Sequence, residues 1–105
     1  MVPFTRVGAC AYIGGMAKVN ADVPPYMLVE GQPATVRAVN IIGLRRAGMP
    51  PGERRALQDA YRLLFRSGLA SGRAVERIRD EVPSVAPVTA LLEFIETSER
   101  GIEPP

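Results

Sequence analysis

Residues 7–19 read VGACAYIGGMAKV, and together with Met1 they place an apolar residue at every sixth position: Met1, Val7, Ile13 and Val19. A period of six matches neither the 3.6-residue period of a helix nor the two-residue period of a strand. It is typical of the hexapeptide parallel β-helix, in which each side of a triangular prism takes six residues and points one aliphatic side chain inward. Three hexapeptides make one turn, so we predict a remnant of about one to two coils, with glycines at tight corners.

Length and composition limit the class of protein. The chain has 105 residues, of which 47% are apolar and 23% charged, and this predicts one modest globular domain. No apolar run approaches the roughly 18 residues that a membrane-spanning helix needs, so we predict no membrane span. The one cysteine, Cys10, cannot form an internal disulfide, which suits a reducing cytosol. We expect Cys10 to be a small buried residue at a corner of the coil.

Arginines are concentrated in the middle of the chain although the net charge is only +2. The six are Arg45, Arg46, Arg54, Arg55, Arg62 and Arg66. They fit either solvated helix faces or a surface for phosphates or an acidic protein partner. The aromatic residues among them, Tyr61 and Phe65, stand at the spacing of a helix core, so we do not predict nucleic-acid binding.

The composition changes near residue 39, which predicts two parts: residues 1–38, the end of a β-helix with a connecting strand, and residues 39–105, a helical domain. Asp22-Val23-Pro24-Pro25-Tyr26 ends the six-residue rhythm, because the two prolines lack backbone donors and hold the chain extended. The sequence of residues 27–31 predicts one short edge strand followed by a turn.

The pattern beyond residue 39 predicts four helices, each delimited by proline, glycine or serine. They are residues 39–47, a helix from Pro51 to a stop at Gly68, a helix capped by Ser71 and ended by Pro83, and a helix capped by Ser84 that ends before Gly101. We expect the tail Glu103-Pro104-Pro105 to be frayed.

Four separated motifs resemble, in order and spacing, the C-terminal part of bacterial acyl-carrier-protein–UDP-N-acetylglucosamine O-acyltransferases. The motifs are DVPPY at residues 22–26, EGQPA at residues 30–34, VNIIGLRR at residues 39–46 and AYRLLFRSG at residues 60–68. The resemblance runs from Val2 to about Gly101, which is nearly the whole chain.

The resemblance implies a left-handed parallel β-helix, assembled as a homotrimer, that transfers a hydroxyacyl group from acyl carrier protein to the 3-hydroxyl of UDP-N-acetylglucosamine. This is the first step of lipid A synthesis. The resemblance also implies a cytoplasmic enzyme without metal or cofactor, whose active sites lie between subunits and use a histidine as general base. This chain contains no histidine, so we predict that it carries no catalytic residue and is inactive alone.

Two explanations of the missing histidine stay open, since the chain fits either a C-terminal fragment of a complete enzyme or a truncated gene product. Val2-Pro3-Phe4 also stands where the family usually has His-Gln-Phe. One function is therefore the acyltransferase C-terminal region, which contributes phosphate binding, acyl-chain length control and docking of acyl carrier protein. The alternative is a non-catalytic truncated paralogue that acts as an oligomerisation or partner-binding module.

Three residues are candidates for substrate contacts by this resemblance. Asn40 and Arg46 match positions that contact the UDP-sugar, although Asn40 fits a helix N-cap and Arg46 an ordinary exposed arginine equally well. Ile42 and Ala47 replace a common acidic residue and a common second arginine, which weakens the polar network. Gly15 matches the position that closes the acyl-chain pocket, or it is simply a corner glycine.

Overall fold

Three short strands precede four α-helices in the computed structural model, which describes residues 6–98 and 101–104. The strands are β1 (Tyr12–Ile13), β2 (Met27–Glu30) and β3 (Thr35–Val39). The helices are α1 (Ile41–Arg46), α2 (Pro51–Tyr61), α3 (Ser71–Glu81) and α4 (Ala86–Glu96), and a π-helical turn, Arg62–Arg66, extends α2. Met1 of the six-residue repeat and the motif Val2-Pro3-Phe4 lie outside the described residues.

The N-terminal part stacks on itself with a constant offset along the chain. Val7 pairs in parallel with Val23, Tyr12 with Leu28 and Ile13 with Val29, and the interval in sequence is the same for each pair. A constant offset means that the chain completes one circuit and returns above its starting point. The circuit from Val7 to Val23 is slightly shorter than the three hexapeptides that the sequence predicts. We call residues 7–18 the first layer and residues 23–34 the second layer.

The second layer is buried and the first is partly uncovered. Val23 and Val29 are completely buried, whereas Val7 is 44% exposed and Ile13 is half-buried. Val19, the next residue of the six-residue repeat, is buried. The expectation for Cys10 is wrong, because this residue is exposed at a corner with φ of 57°.

The strand β2 is the central strand of the sheet, so the prediction of an edge strand is wrong. It pairs in parallel with β1 and antiparallel with β3, in the order β1-β2-β3. The sequence analysis missed β3 and began the first helix at residue 39, two residues too early. A bulge between Leu28 and Val29 shifts the register, and Val36 and Val39 of β3 are both buried.

The predicted helices form, but both predicted serine caps are wrong. The N-cap of α3 is Ala70, and that of α4 is Val85. Ser71 is already the first residue of α3. A turn in which Val85 N–H donates to the Pro83 carbonyl at 2.8 Å delays the start of α4 beyond Ser84. None of the helices in the described ranges has the length and hydropathy that crossing a lipid bilayer requires.

One continuous core joins the two layers to the helices. It includes Val29 and Val36 of the sheet, Leu57 of α2, Ile78 of α3 and Leu91 of α4, all of them completely buried. Burial of each large aliphatic side chain stabilises the fold by about 1.5–3 kcal/mol. The core thus spans the predicted boundary between residues 38 and 39, and the division into two parts stays a prediction.

The C-terminal residues 101–104, here called the strap, are docked rather than frayed. Asp22 N–H donates to the Gly101 carbonyl at 3.0 Å, Glu103 N–H to the Asp22 carbonyl at 2.9 Å, and Val36 N–H to the Pro104 carbonyl at 2.7 Å. The Glu103 side chain is only 2% exposed, and its Oε1 accepts hydrogen bonds from Asn20 N–H and Ala21 N–H at 2.7 and 2.6 Å. Burial of the Glu103 carboxylate is possible because these two backbone N–H groups donate hydrogen bonds to it.

Glu103→Ala is expected to lower the free energy of unfolding by about 1–3 kcal/mol, because two backbone N–H groups lose a charged acceptor. For a domain of this size the melting temperature falls by roughly 4–8 °C for each kcal/mol, which thermal unfolding followed by circular dichroism measures. Glu93→Ala removes an exposed carboxylate from α4 and serves as the matched control, with an effect within about 0.5 kcal/mol. Equal effects of the two substitutions would contradict a docked strap.

Candidate functional site

One corner of the stacked layers lies beneath the start of α1. Cys10 and Tyr26 stand at the same interval in sequence as the paired residues of the two layers, and both adopt left-handed backbone conformations, with φ of 57° and 68°. Tyr26 N–H donates to the Ala9 carbonyl, and Asn40 N–H donates to the Tyr26 carbonyl, both at 2.8 Å. These two hydrogen bonds place Asn40, and with it the start of α1, directly next to the corner formed by Cys10 and Tyr26.

The Asn40 side chain connects α1 to the first layer. Asn40 is the N-cap of α1, and its Oδ1 accepts a hydrogen bond from Gly43 N–H at 3.2 Å. Its Nδ2 donates to the Cys10 carbonyl at 3.0 Å. A carboxamide has two donor hydrogens and two acceptor lone pairs. Among the described residues, one donor and one acceptor position of Asn40 thus have no partner.

A groove is lined by both Asn40 and Arg46. It has a volume of about 510 Å³, and most of its wall is apolar. The lining residues are Tyr12, Leu28, Val39, Asn40, Ile41, Ile42, Gly43 and Arg46. Gly15 lies elsewhere, in a turn after β1.

The two arginines of α1 differ in their surroundings. Both are exposed in the last turn of the helix, but Arg46 lines the groove and Arg45 is not among its described lining residues. Leu44, which is completely buried, sets the orientation of the helix. Neither arginine forms an ion pair with any residue in the described part of the chain, so each keeps its donors for other groups.

Ile42 gives the groove an exposed apolar wall. Its side chain is 67% exposed, and Tyr12 on the same groove is 54% exposed. None of the described lining residues is acidic. The positive charge of Arg46 is therefore not neutralised within the groove, which suits an anionic ligand with an apolar part.

Gly15 has no structural need to be glycine within the described chain. Its φ lies outside the left-handed region, and a Cβ built on it would meet no atom within 4 Å. Gly8 is the opposite case, because a Cβ there would lie 2.6 Å from Cδ of Pro25 and closer still to its backbone. The interpretation of Gly15 as a required corner glycine is thus weakened.

Three of the six clustered arginines serve the fold. Arg54 donates to the Met49 carbonyl at 3.1 Å, Arg62 pairs with Asp59, and Arg66 Nε donates to the Tyr61 hydroxyl at 2.7 Å. The alternative of solvated helix faces describes Arg62 and Arg66, which are exposed, but not Arg54, which is half-buried. The remaining three are Arg45, Arg46 and Arg55, all of them exposed.

The sequence analysis missed Tyr12, Leu28 and the Cys10–Tyr26 corner as parts of this site. Burial raises the pKa of the Tyr26 phenol, and the neighbouring Cys10 and Glu53 raise it further. The phenol consequently stays neutral at physiological pH. The sequence does not place Cys10 beneath Tyr26, because three hexapeptides predict a longer circuit than the one that the structure shows.

Within residues 6–98 and 101–104, no group of three or more histidine, cysteine, aspartate or glutamate side chains is arranged to hold a metal ion. Asn40 and Arg46 offer hydrogen bonding and charge complementarity in the groove.

Residues 22–103 match the family model described as UDP-N-acetylglucosamine O-acyltransferase, domain 2. An acyl-[acyl-carrier-protein]–UDP-N-acetylglucosamine O-acyltransferase from Vibrio atlanticus is 45% identical over 100 residues, which cover 95% of this chain and 38% of the relative. The protein of the same name from Paracidovorax citrulli is 43% identical over 103 residues, which cover 94% of this chain and 39% of the relative. The chain thus spans about two fifths of the length of these relatives.

The fold is shared with solved structures of similarly named proteins. A UDP-N-acetylglucosamine acyltransferase from Bacteroides fragilis superposes with a TM-score of 0.93 at 36% identity, over 96% of this chain and 40% of that chain. The enzyme of that name from Francisella novicida gives a TM-score of 0.89 at 35% identity, over 97% of this chain and 38% of that chain.

Proposed function

The chain belongs to the UDP-N-acetylglucosamine O-acyltransferase family, and we propose that it supplies one wall of the site that binds the UDP-sugar. The observation that carries this proposal is the groove that Asn40 and Arg46 line together. A guanidinium is planar and permanently charged, so Arg46 suits a pyrophosphate. Asn40 has one donor and one acceptor position left for hydroxyl or amide groups of the sugar nucleotide.

In a complete enzyme, the proposed reaction transfers a hydroxyacyl group from acyl carrier protein to the 3-hydroxyl of UDP-N-acetylglucosamine, in the cytoplasm and as part of lipid A synthesis. The two stacked layers contribute coils of a left-handed parallel β-helix. The proposed division of the chain is into a β-helix end with its connecting strand, residues 1–38, and a helical domain, residues 39–105. Since the chain contains no histidine, the proposal assigns it no catalytic residue. It also assigns it no metal and no cofactor.

Gly15 is the proposed end of the acyl-chain pocket. Support comes from its exposure and from the empty space around its missing Cβ, because neither its backbone nor its neighbours in the described chain require glycine. A side chain at this position would then project into space that an acyl chain occupies.

Exposed arginines support docking of acyl carrier protein as an acidic protein partner. Arg55 on α2 and Arg45 on α1 are exposed, and neither forms an ion pair with the described residues. Their charges steer an acidic partner at low ionic strength and are screened beyond about 10 Å at 0.1 M salt.

A non-catalytic assembly module is the second candidate. Met16 is 78% exposed and Val7 44%, and both lie in the first layer. Exposed apolar side chains of this kind are typical of a surface that another subunit or partner covers. Determination of the coding sequence upstream of Met1 distinguishes the two candidate functions. Further hexapeptide coils with a histidine would support the acyltransferase. A stop codon with a promoter would support the assembly module.

Arg46→Ala in a complete enzyme that carries this chain is expected to raise the KM for UDP-N-acetylglucosamine by roughly one to two decades. A charge-assisted contact of about 1.5–3 kcal/mol is lost. The melting temperature should hardly change, because an exposed arginine contributes little to folding. Arg45→Ala is the matched control, turned about 100° around the helix, and should do much less. If Arg46→Ala and Arg45→Ala had equal effects on KM, the two arginines would form only a diffuse positive patch, without a specific role for Arg46.

Gly15→Met in the same complete enzyme is expected to shift the preference toward shorter acyl donors, because the new side chain fills the end of the pocket. The measurement compares kcat/KM for carrier proteins loaded with acyl chains of different length. Gly52→Met, on α2 and with no atom within 4 Å of its added Cβ, is the control. An unchanged chain-length profile would remove Gly15 from the acyl pocket.

The isolated chain is expected to self-associate, most simply as a homotrimer, because Val7 and Met16 leave apolar surface exposed beside the unpaired edge of β1. Sedimentation velocity at micromolar concentration measures the oligomer, and a well-behaved monomer would overturn this prediction.

A further inference from the structure

The side chain of Asn40 occupies the space in which any other residue at position 43 would place its Cβ. A Cβ built on Gly43 would lie 2.9 Å from Cγ and 3.1 Å from Oδ1 of Asn40, and closer still to Nδ2. All three atoms belong to the carboxamide that holds the Gly43 N–H and the Cys10 carbonyl. The spacing Asn40-x-x-Gly43 is thus a steric requirement of this one side chain.

The crowding by Asn40 explains why a glycine stands inside a helix. Gly43 is the third residue of α1, where glycine disfavours the helix relative to alanine. Its φ lies outside the left-handed region, so the backbone itself does not demand glycine. Gly72 in α3 shows the contrast, because a Cβ there would meet nothing within 4 Å.

We propose that Gly43 is a positioning residue for the nucleotide-sugar site. By leaving room for the Asn40 carboxamide, it holds that group between Cys10 and α1, with its second N–H and second lone pair available in the groove beside Arg46. A preset amide loses less freedom when a ligand binds than one that rotates in solvent. The ligand part of this assignment rests on the function proposed above, but the steric part does not.

The steric part is testable on the chain itself. Gly43→Ala should leave the fold intact, because the obstructing atoms are the end of one side chain rather than backbone. In ¹⁵N-labelled protein, the Asn40 side-chain amide protons should exchange with solvent faster and lose their hydrogen-bonded chemical shift. Gly72→Ala is the matched helical control and should leave those resonances unchanged. Unchanged Asn40 resonances in Gly43→Ala would overturn the proposal.

A double substitution tests whether Gly43 acts through Asn40. Asn40→Ser keeps an N-cap residue but removes the carboxamide and relieves the crowding. In the Asn40→Ser background, Gly43→Ala should therefore raise the melting temperature, as expected for alanine in a helix, whereas in the native background it should not. The same change in melting temperature in both backgrounds would show that Gly43 and Asn40 are independent.

Titration of a complete enzyme that carries this chain with UDP-N-acetylglucosamine tests the ligand part. Gly43→Ala should raise the Kd by about 3- to 10-fold, as for one lost hydrogen bond, and should have no further effect in the Asn40→Ser background. If Arg46→Ala weakens binding and Gly43→Ala does not, this inference is wrong and the proposed function stands. If neither Arg46→Ala nor Gly43→Ala changes the Kd in that enzyme, the proposed function fails, and the ligand part fails with it.

Discussion

Main-chain pairing between two stacked layers is the constraint on which the rest of the structure depends. Gly8 N–H donates to the Val23 carbonyl and Gly14 N–H to the Val29 carbonyl, at 2.8 and 2.9 Å. The close approach is possible at Gly8 because no Cβ stands against Pro25. Because β2 is paired with β1 on one edge and with β3 on the other, its buried side chains belong to the same core as those of the helices.

Side chains from distant parts of the sequence complete the backbone hydrogen bonding where the layers meet the helices. Asn40 does so at the Cys10 carbonyl, and Glu103 does so at residues 20 and 21. The buried Asp22 accepts hydrogen bonds from Arg6 N–H at 2.7 Å and from the Ser98 hydroxyl at 2.6 Å, which ties the end of α4 to the start of the first layer. These bonds leave buried polar groups satisfied, as folded proteins require.

The groove combines one cation with an apolar wall. Arg46 has no acidic neighbour among the described lining residues, and Ile42 and Tyr12 expose apolar surface beside it. An ion and an apolar surface side by side suit a ligand with an anionic group and a less polar portion, which a nucleotide sugar combines. Gly43 contributes to this groove indirectly, because its lack of a Cβ leaves room for the Asn40 carboxamide in its observed orientation.

The sequence by itself determined the family and the helical character of the second half, because these depend on local patterns and on spacing along the chain. It also predicted Asn40 and Arg46 as substrate contacts, and this stays a prediction. It did not predict β3, the central place of β2 or the docked strap. Those features depend on main-chain partners far apart in sequence, such as Val36 with Pro104. Only the tertiary structure decided that Cys10 is exposed and that Glu103 is buried. Burial depends on what the chain places around a residue, and local composition does not record it.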